Sequence, residues 1–287
     1  MKIALIVNFN KKGATETGKR IAELLISQGV EVLFHKSSLS DLFKEALAFD
    51  NHSDLVKAAD LVLTVGGDGT IIHSAKHAVS HGKPVLGVNL GRLGYVAELE
   101  ADEIDMITQL VKGEYSIVNR SVLSVCVISK SGTSKEYIAV NDAVVSRGSL
   151  SRIIDLQVSI DGADVSSYRA DGILVATPTG STAYALSAGG PVISPDLRCI
   201  ELVPVCPHSL SARAVILSEN SVIKIHANSP DDKSYLTIDG QISVELYEDD
   251  IVEIKNSEKT LDMIVIKKRN FFKLASEKLK EVNINEA

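Results

Sequence analysis

Through its first 112 residues the chain alternates dense apolar runs with stretches in which apolar residues recur three or four positions apart. Runs at 2–7, 30–34, 60–65 and 84–88 read as strands covered on both faces, because a strand buried between helices loses polar alternation. The periodic stretches at 15–28, 41–48, 70–81 and 102–112 read as helices. This alternation predicts βαβ units around a parallel sheet. In such a sheet ligands bind beyond the carboxyl ends of the strands.

Near residue 115 the pattern changes. Short β-type runs follow at 122–128, 138–145, 154–160, 173–176, 200–205, 222–227, 235–238 and 251–254, separated by turn residues. Helical periodicity nearly vanishes, which predicts an all-β, sandwich-like second domain. After Ile264-Val265-Ile266, Asn270 caps a final helix with apolar residues at 271, 272, 275 and 279, expected to return to the first domain. The division expected is 1–115 plus about 265–287 for the α/β domain, and 116–264 for the β-rich one.

Composition narrows the function classes. In 287 residues, 45 % hydrophobic and without Trp, there is room for two ordinary globular domains with aliphatic cores. A formal net charge of -7 without a long basic run argues against nucleic acid as a partner. Cys126, Cys199 and Cys206 lack metal-ligand spacing and read as reduced thiols of a cytoplasmic protein. Met1-Lys2 leads straight into the first strand without a signal-peptide pattern, and no apolar run approaches the roughly 18 residues needed to cross a membrane.

Chemistry concentrates where the third strand run ends, in Gly66-Gly67-Asp68-Gly69-Thr70. Glycines let the backbone turn sharply and approach a ligand, and the amides of the helix that Thr70 opens favour phosphate. A carboxylate there repels phosphate unless it accepts a proton from a hydroxyl or holds a metal beside the phosphates. The loop therefore reads as phosphoryl transfer. A second concentration begins at Arg169-Ala170-Asp171-Gly172 and, after a short apolar run, continues from Thr177 to Pro191. Its hydroxyls and amides suit ribose and phosphate oxygens, and Tyr184 adds an aromatic face with a polar tip. Asn141-Asp142 interrupts a β-type run and reads as a turn or bulge whose amide and carboxylate suit base edges and ribose hydroxyls.

Three other patterns read as structural. Gly13 to Arg20 has nearly the spacing of a P-loop, but Arg20 stands where a hydroxyl should meet magnesium, and one amphipathic helix spans the segment. No G-x-G-x-x-G follows a strand, which removes the main support for dehydrogenase chemistry. His73, His77 and His81 recur at a spacing that zinc ligands use, yet they lie largely opposite the apolar face of their helix and read as solvated. Asp239-Gly240-Gln241 taken alone is a hairpin turn.

With these residues in view the chain resembles the NAD kinase family over nearly its whole length. The glycine loop is shared with diacylglycerol and sphingosine kinases, whereas the block from Tyr168 to Pro191 is far more specific. Asn89 to Tyr95, Pro207 to Arg213 and Asp239-Gly240-Gln241 match in the expected order. The resemblance implies transfer of the ATP γ-phosphate to the 2′-hydroxyl of the adenosine ribose of NAD, giving NADP. Asp68 matches the proton acceptor, with Gly66, Gly67 and Gly69 around the nucleotide. Asn141, Asp142, Arg152, Arg169 and Asp171 match nucleotide contacts; Thr179, Thr182, Ala183, Tyr184, Ala185, Leu186 and Ser187 would line the NAD site, with Cys206 and Gln241. Mg2+ or another divalent cation would arrive on ATP. A homodimer or homotetramer is implied.

Asp142 stands where the family usually has Glu, which shortens the reach by about 1.5 Å and predicts altered affinity rather than lost activity. Two alternatives accompany this reading: a lipid kinase with the same loop, and a dinucleotide sensor without turnover.

Overall fold

The computed structural model describes residues 1–36, 47–91, 94–148, 153–228, 233–267 and 270–284. They form two compact units, Met1–Asn119 with Leu261–Ala287, and Arg120–Thr260.

In the first unit β1 (Lys2–Val7), β2 (Glu31–His35), β3 (Leu47–Phe49), β4 (Leu61–Gly66) and β5 (Val85–Asn89) make a parallel sheet in the order β3-β2-β1-β4-β5. The short β6 (Leu99–Glu100) continues it beside β5. Helices α1 (Ala14–Ser27), α2 (His52–Ala58), α3 (Asp68–His81) and α4 (Thr108–Lys112) are the intervening segments. Ile3, Leu5, Leu63, Leu86 and Val88 are buried with Ile21, Ala22 and Leu25 of α1, so apolar runs lacking polar alternation do become covered strands.

Several boundaries differ from the sequence reading. Of the helix expected at 41–48, residues 41–46 lie outside the described residues and Leu47 opens a strand instead. The seven-residue α2 escaped the periodicity reading because it completes barely two turns, although its cap was legible: the Asn51 side chain accepts from Asp54 N–H at 2.8 Å. The helix expected at 102–112 divides into a 3-10 turn, Ile104–Ile107, and α4.

The second unit is a sandwich. One antiparallel sheet has β9 (Asp142–Arg147), β12 (Gly172–Ala176), β13 (Cys199–Val205), β14 (Val215–Ser218), β16 (Ser234–Ile238) and β17 (Ile242–Leu246), in the order β14-β13-β12-β9-β16-β17. Facing it are β10 (Ile154–Ile160), β11 (Ala163–Ala170), β15 (Ile223–Asn228) and the start of β18 (Ile251–Val265), with β7 (Ser116–Ile128) and β8 (Ser134–Ala139) paired together. Alternate residues such as Val145, Leu156, Ile173, Val175, Leu202, Ile225 and Leu236 fill the space between the sheets. The run expected at 138–145 is two strands broken at Val140-Asn141, and β11, β14 and β17 are strands that the apolar pattern missed. All three are edge strands; β11 and β14 are mostly exposed with little apolar alternation, whereas Ile242, Val244 and Leu246 of β17 do alternate and were overlooked. Among the described residues of this unit, helix is confined to a 3-10 turn, Gly180–Thr182, and α5 (Tyr184–Ser187).

The end of β18 belongs to the first unit, where Met263 pairs in parallel with Val85. Glu98 accepts from the amides of Ile266 and Lys267 at 2.9 and 2.8 Å, anchoring the chain before α6 (Phe271–Ile284). Asn270 caps α6 by accepting from Lys273 N–H at 3.0 Å. The buried face of α6 is Leu274 and Ala275, while Phe272 and Leu279 are exposed, and Lys278 lies 4.5 Å from the Tyr95 ring centroid. No helix among the described residues is long and apolar enough to cross a membrane.

Candidate functional site

In the first unit the site begins where β4 runs out. Gly67 precedes α3 in extended backbone, no side chain caps the helix, and Asp68 is its first residue. The helix thus opens two residues earlier than Thr70, which places the Asp68 carboxylate at the positive end of the helix dipole. Its Oδ2 accepts from Tyr95 N–H at 2.7 Å and its Oδ1 from Val96 N–H at 3.3 Å. Two carboxylate oxygens offer about four acceptor positions, so these bonds orient the group and leave capacity for a substrate hydroxyl. A Cβ on Gly94 would stand 1.9 Å from Asp68 Oδ1; the 94–96 turn therefore closes on the carboxylate. Burial and then the charge of Asp68 push the Tyr95 phenol up from its usual value.

The rest of the turn is braced from β1. Asn8 Nδ2 donates to Thr70 Oγ1 at 2.9 Å, and Leu90 N–H donates to Gly66 O at 2.6 Å. Gly69 is exposed at the mouth of the turn. Lys11, in the loop after β1, brings its Nζ within 3.8 Å of where a Cβ on Gly67 would stand. It is an exposed cation beside the glycines. Sequence reasoning passed over Lys11, although a lysine pair just beyond the first strand of a parallel sheet was a usable signal.

The histidines of α3 are not simply solvated. His73 and His77 lie 5.8 Å apart, each about 6 Å from His52 of α2, which stacks on His35 at 4.5 Å. His81 Nε2 shares a 2.9 Å hydrogen bond with Ser53 Oγ. Burial, then the neighbouring imidazoles, bring His52 down to about 4. The helix spacing told only where these side chains stood on α3; the partner helix was invisible to it.

In the second unit Asn141-Asp142 bridges β8 and β9. The Asp239 carboxylate accepts from the amides of Val140, Asn141 and Asp142 at 2.7–3.1 Å, and Asp239 N–H donates to Asp142 O at 2.9 Å. Asp239 and Gly240 have φ of 49° and 64°, so the hairpin turn aims this side chain at the pair. Its positioning role was not readable from a turn sequence. The Asn141 side-chain oxygen is buried without a hydrogen-bond partner, whereas its amide and carbonyl are engaged. Such an acceptor awaits a donor. Asp142 is 4 % exposed.

The hydroxyl-rich segment packs directly on this pair. Thr177 N–H donates to Asn141 O at 2.9 Å and Thr177 Oγ1 to Val140 O at 2.7 Å. Ser181 Oγ donates to Pro178 O at 2.7 Å, and Thr182 Oγ1 to Thr179 O at 3.3 Å. These hydroxyls donate to backbone carbonyls and so shape the turn. The half-exposed Tyr184 has its phenol pushed up by burial, then by Cys206, Asp142 and Asp171. Asp171 Oδ1 accepts from Arg147 Nε at 2.6 Å, an ion pair absent from the sequence reading. Thr179 and Ala185 are buried beneath the segment, Ala183 and Leu186 are half-buried, and Ser187 is exposed. Gln241 ends the Asp239 hairpin.

Arg169, whose carbonyl accepts from His208 N–H at 2.8 Å, lines a cavity of about 270 Å³ with Tyr168, Pro207, Ser209 and Arg213. Arg152 lies outside the described residues.

Comparison with known proteins bears on the family. The ATP-NAD kinase N-terminal domain matches residues 3–115, and the ATP-NAD kinase C-terminal domain matches 140–266. The NAD kinase of Syntrophotalea carbinolica is 35 % identical over 279 residues, covering 97 % of this chain and 98 % of that protein. That of Caldicellulosiruptor bescii is 37 % identical over 282 residues, covering 98 % and 100 %. Among solved structures, yeast NADH kinase complexed with NADH aligns with a TM-score of 0.85 at 26 % identity, covering 94 % of this chain and 84 % of that one. An NAD kinase from Archaeoglobus fulgidus in complex with ATP aligns with 0.76 at 27 % identity, covering 98 % and 99 %. Matched in both halves and over its length, the chain belongs to the NAD kinase family.

Proposed function

We propose that in this ATP-dependent NAD kinase the Asp68 carboxylate takes the proton from the 2′-hydroxyl of the adenosine ribose of NAD as the γ-phosphate of ATP is transferred to it, giving NADP. The observation that carries this reading is the Asp68 carboxylate itself, held by two backbone amides at the head of α3 with acceptor capacity to spare. A secondary hydroxyl is a weak nucleophile, and a carboxylate within hydrogen-bond reach removes its proton as the new P–O bond forms. Lys11 beside Gly67 and the opening amides of α3 supply positive potential for phosphate oxygens. The divalent cation, magnesium or another, comes with ATP as part of the substrate.

NAD recognition is assigned to the second unit. The unpaired Asn141 side-chain oxygen accepts a donor from the adenine edge, Asp142 accepts from ribose hydroxyls, and the Tyr184 ring packs on a planar group. The carboxylate of Asp142, one methylene shorter than Glu, calls for a closer approach of the ribose. The same reading takes the enzyme to be a cytoplasmic homodimer or homotetramer.

Purified protein with NAD, ATP and magnesium, read by a dehydrogenase that accepts only NADP, tests the assignment. Asp68→Asn is expected to keep the fold and NAD affinity while lowering turnover by about 10²–10⁴. Wild-type turnover in that variant removes Asp68 from the role.

A further inference from the structure

β13 alternates in an unusual way. Ile200 and Leu202 point into the core between the two sheets, as a sandwich strand requires. The opposite face carries Cys199, Glu201 and Val203, and there Val203 packs with Val144, Leu174, Ala176 and Ala185 of α5. Glu201 is 0 % exposed in this apolar layer, and neither of its carboxyl oxygens has a hydrogen-bond partner. A Cβ on Gly190 would stand 2.1 Å from Glu201 Oε1 and 3.0 Å from Ala185 O, so the end of the Tyr184–Gly190 segment rests against the carboxyl group.

We propose that Glu201 is a positioning residue for this segment: protonated, it fills the slot against Gly190 and holds the segment in its nucleotide-binding conformation, and ionised, it displaces the segment and weakens NAD binding. The proposal rests on the reading of residues 182–187 as part of the NAD site. A buried carboxylate without partners is costly, whereas the neutral acid is tolerated. Burial accordingly pushes Glu201 up to about 7, within the range where a cell's pH decides its charge.

The groups facing Glu201 are few. Cys199, two residues before it, is a thiol pushed up by burial and by Glu201. Across β12 the partner is Ala176, whose own partner on β9 is Asp142, two strand spacings or about 10 Å from Glu201. On β14 the partner is Ile216, and the segment above contributes Ala185 and Gly190. Burial is therefore what favours the protonated acid, and no cation among these neighbours opposes it.

The test uses the full chain, with NAD binding measured by calorimetry from pH 5.5 to 8.5. If only the protonated form holds the segment, the apparent Kd rises about tenfold one pH unit above the midpoint, following the competent fraction. Glu201→Gln keeps the shape without the charge and is expected to remove that rise; Glu201→Leu serves if the amide does not fold. Cys199→Ser is expected to retain it. A 13C carboxyl titration of the ligand-free protein, assigned by the signal missing in the variant, is expected to show Glu201 titrating near neutrality. Titration near 4.5, or equal pH slopes in wild type and Glu201→Gln, overturns the proposal. A Tyr184→Ala variant that binds NAD like wild type overturns the assignment of the segment instead, and the carboxyl titration still decides whether Glu201 is a buried acid.

Discussion

At Asp68 the competing demands on one side chain can be followed atom by atom. Its carboxylate must stay oriented without exhausting its acceptors, and the amides of Tyr95 and Val96 achieve this because Gly94 presents no side chain to it. Gly94→Ala would drive a methyl group into Oδ1 and shift the carboxylate by an ångström or so. Misplacement on that scale costs about 10²-fold in rate. NADP formation by Gly94→Ala should fall to that extent while NAD affinity, assigned to the second unit, stays near wild type. An unchanged rate would mean that the position of the Asp68 carboxylate does not limit the reaction. The Asp239 side chain does for Asn141-Asp142 what the 94–96 turn does for Asp68, through three amides converging on one carboxylate.

Among the elements, long periodic ones were legible and short ones were not. α1 and α3 appeared at nearly their true bounds because fourteen residues repeat the apolar face almost four times. The seven residues of α2 do not. Gly18 lies inside α1, as the amphipathic pattern implied, so the P-loop-like spacing carries no loop. Covered strands β1, β4, β5 and β12 announced themselves as apolar runs, while the edge strands β11 and β14 show mixed, mostly exposed residues. For α6 the cap was legible and the buried face was not, since Phe271, Phe272, Leu274, Ala275 and Leu279 offer more than one apolar stripe. Asn270→Ala removes the bond to Lys273 N–H and should cost about 1 kcal/mol. Thermal unfolding checks this; an unchanged Tm would show that α6 frays without affecting cooperative unfolding.

On the scale of the whole molecule, the half-buried histidines and the buried Glu201 pull stability in opposite directions, and burial, then its histidine neighbours, brings His77 down as well as His52. His52, ordinarily near 6.5, is brought down to about 4 by burial and its imidazole neighbours. Between those values the unfolded chain binds the proton more tightly, so this stabilisation is complete above 6.5 and is lost as pH falls toward 4. Glu201, ordinarily near 4.5, is pushed up to about 7, so the folded chain holds the proton. Its penalty is absent below 4.5 and grows as pH rises to 7, reaching on the order of 3 kcal/mol for a fully buried acid. Between pH 4.5 and 6.5 the histidine and Glu201 contributions therefore oppose each other. Through that window Glu201→Gln should gain stability with pH more steeply than wild type, and His52→Asn less steeply. Denaturant unfolding across the window checks both slopes, and parallel profiles would show that neither group titrates as its burial dictates.

By itself the amino-acid sequence determined the α/β and β-rich halves, the glycine turn after a buried strand, and the family, because these depend on apolar period and on residues adjacent along the chain. Tertiary structure alone decided which distant residues became partners. Asp239 reaches back about a hundred positions to Asn141-Asp142, Tyr95 and Val96 fold onto Asp68, His52, stacked on His35, meets His73 and His77 of α3, and Glu201 lies beneath Gly190. Burial and hydrogen bonding are properties of such meetings, and no spacing along the chain records them.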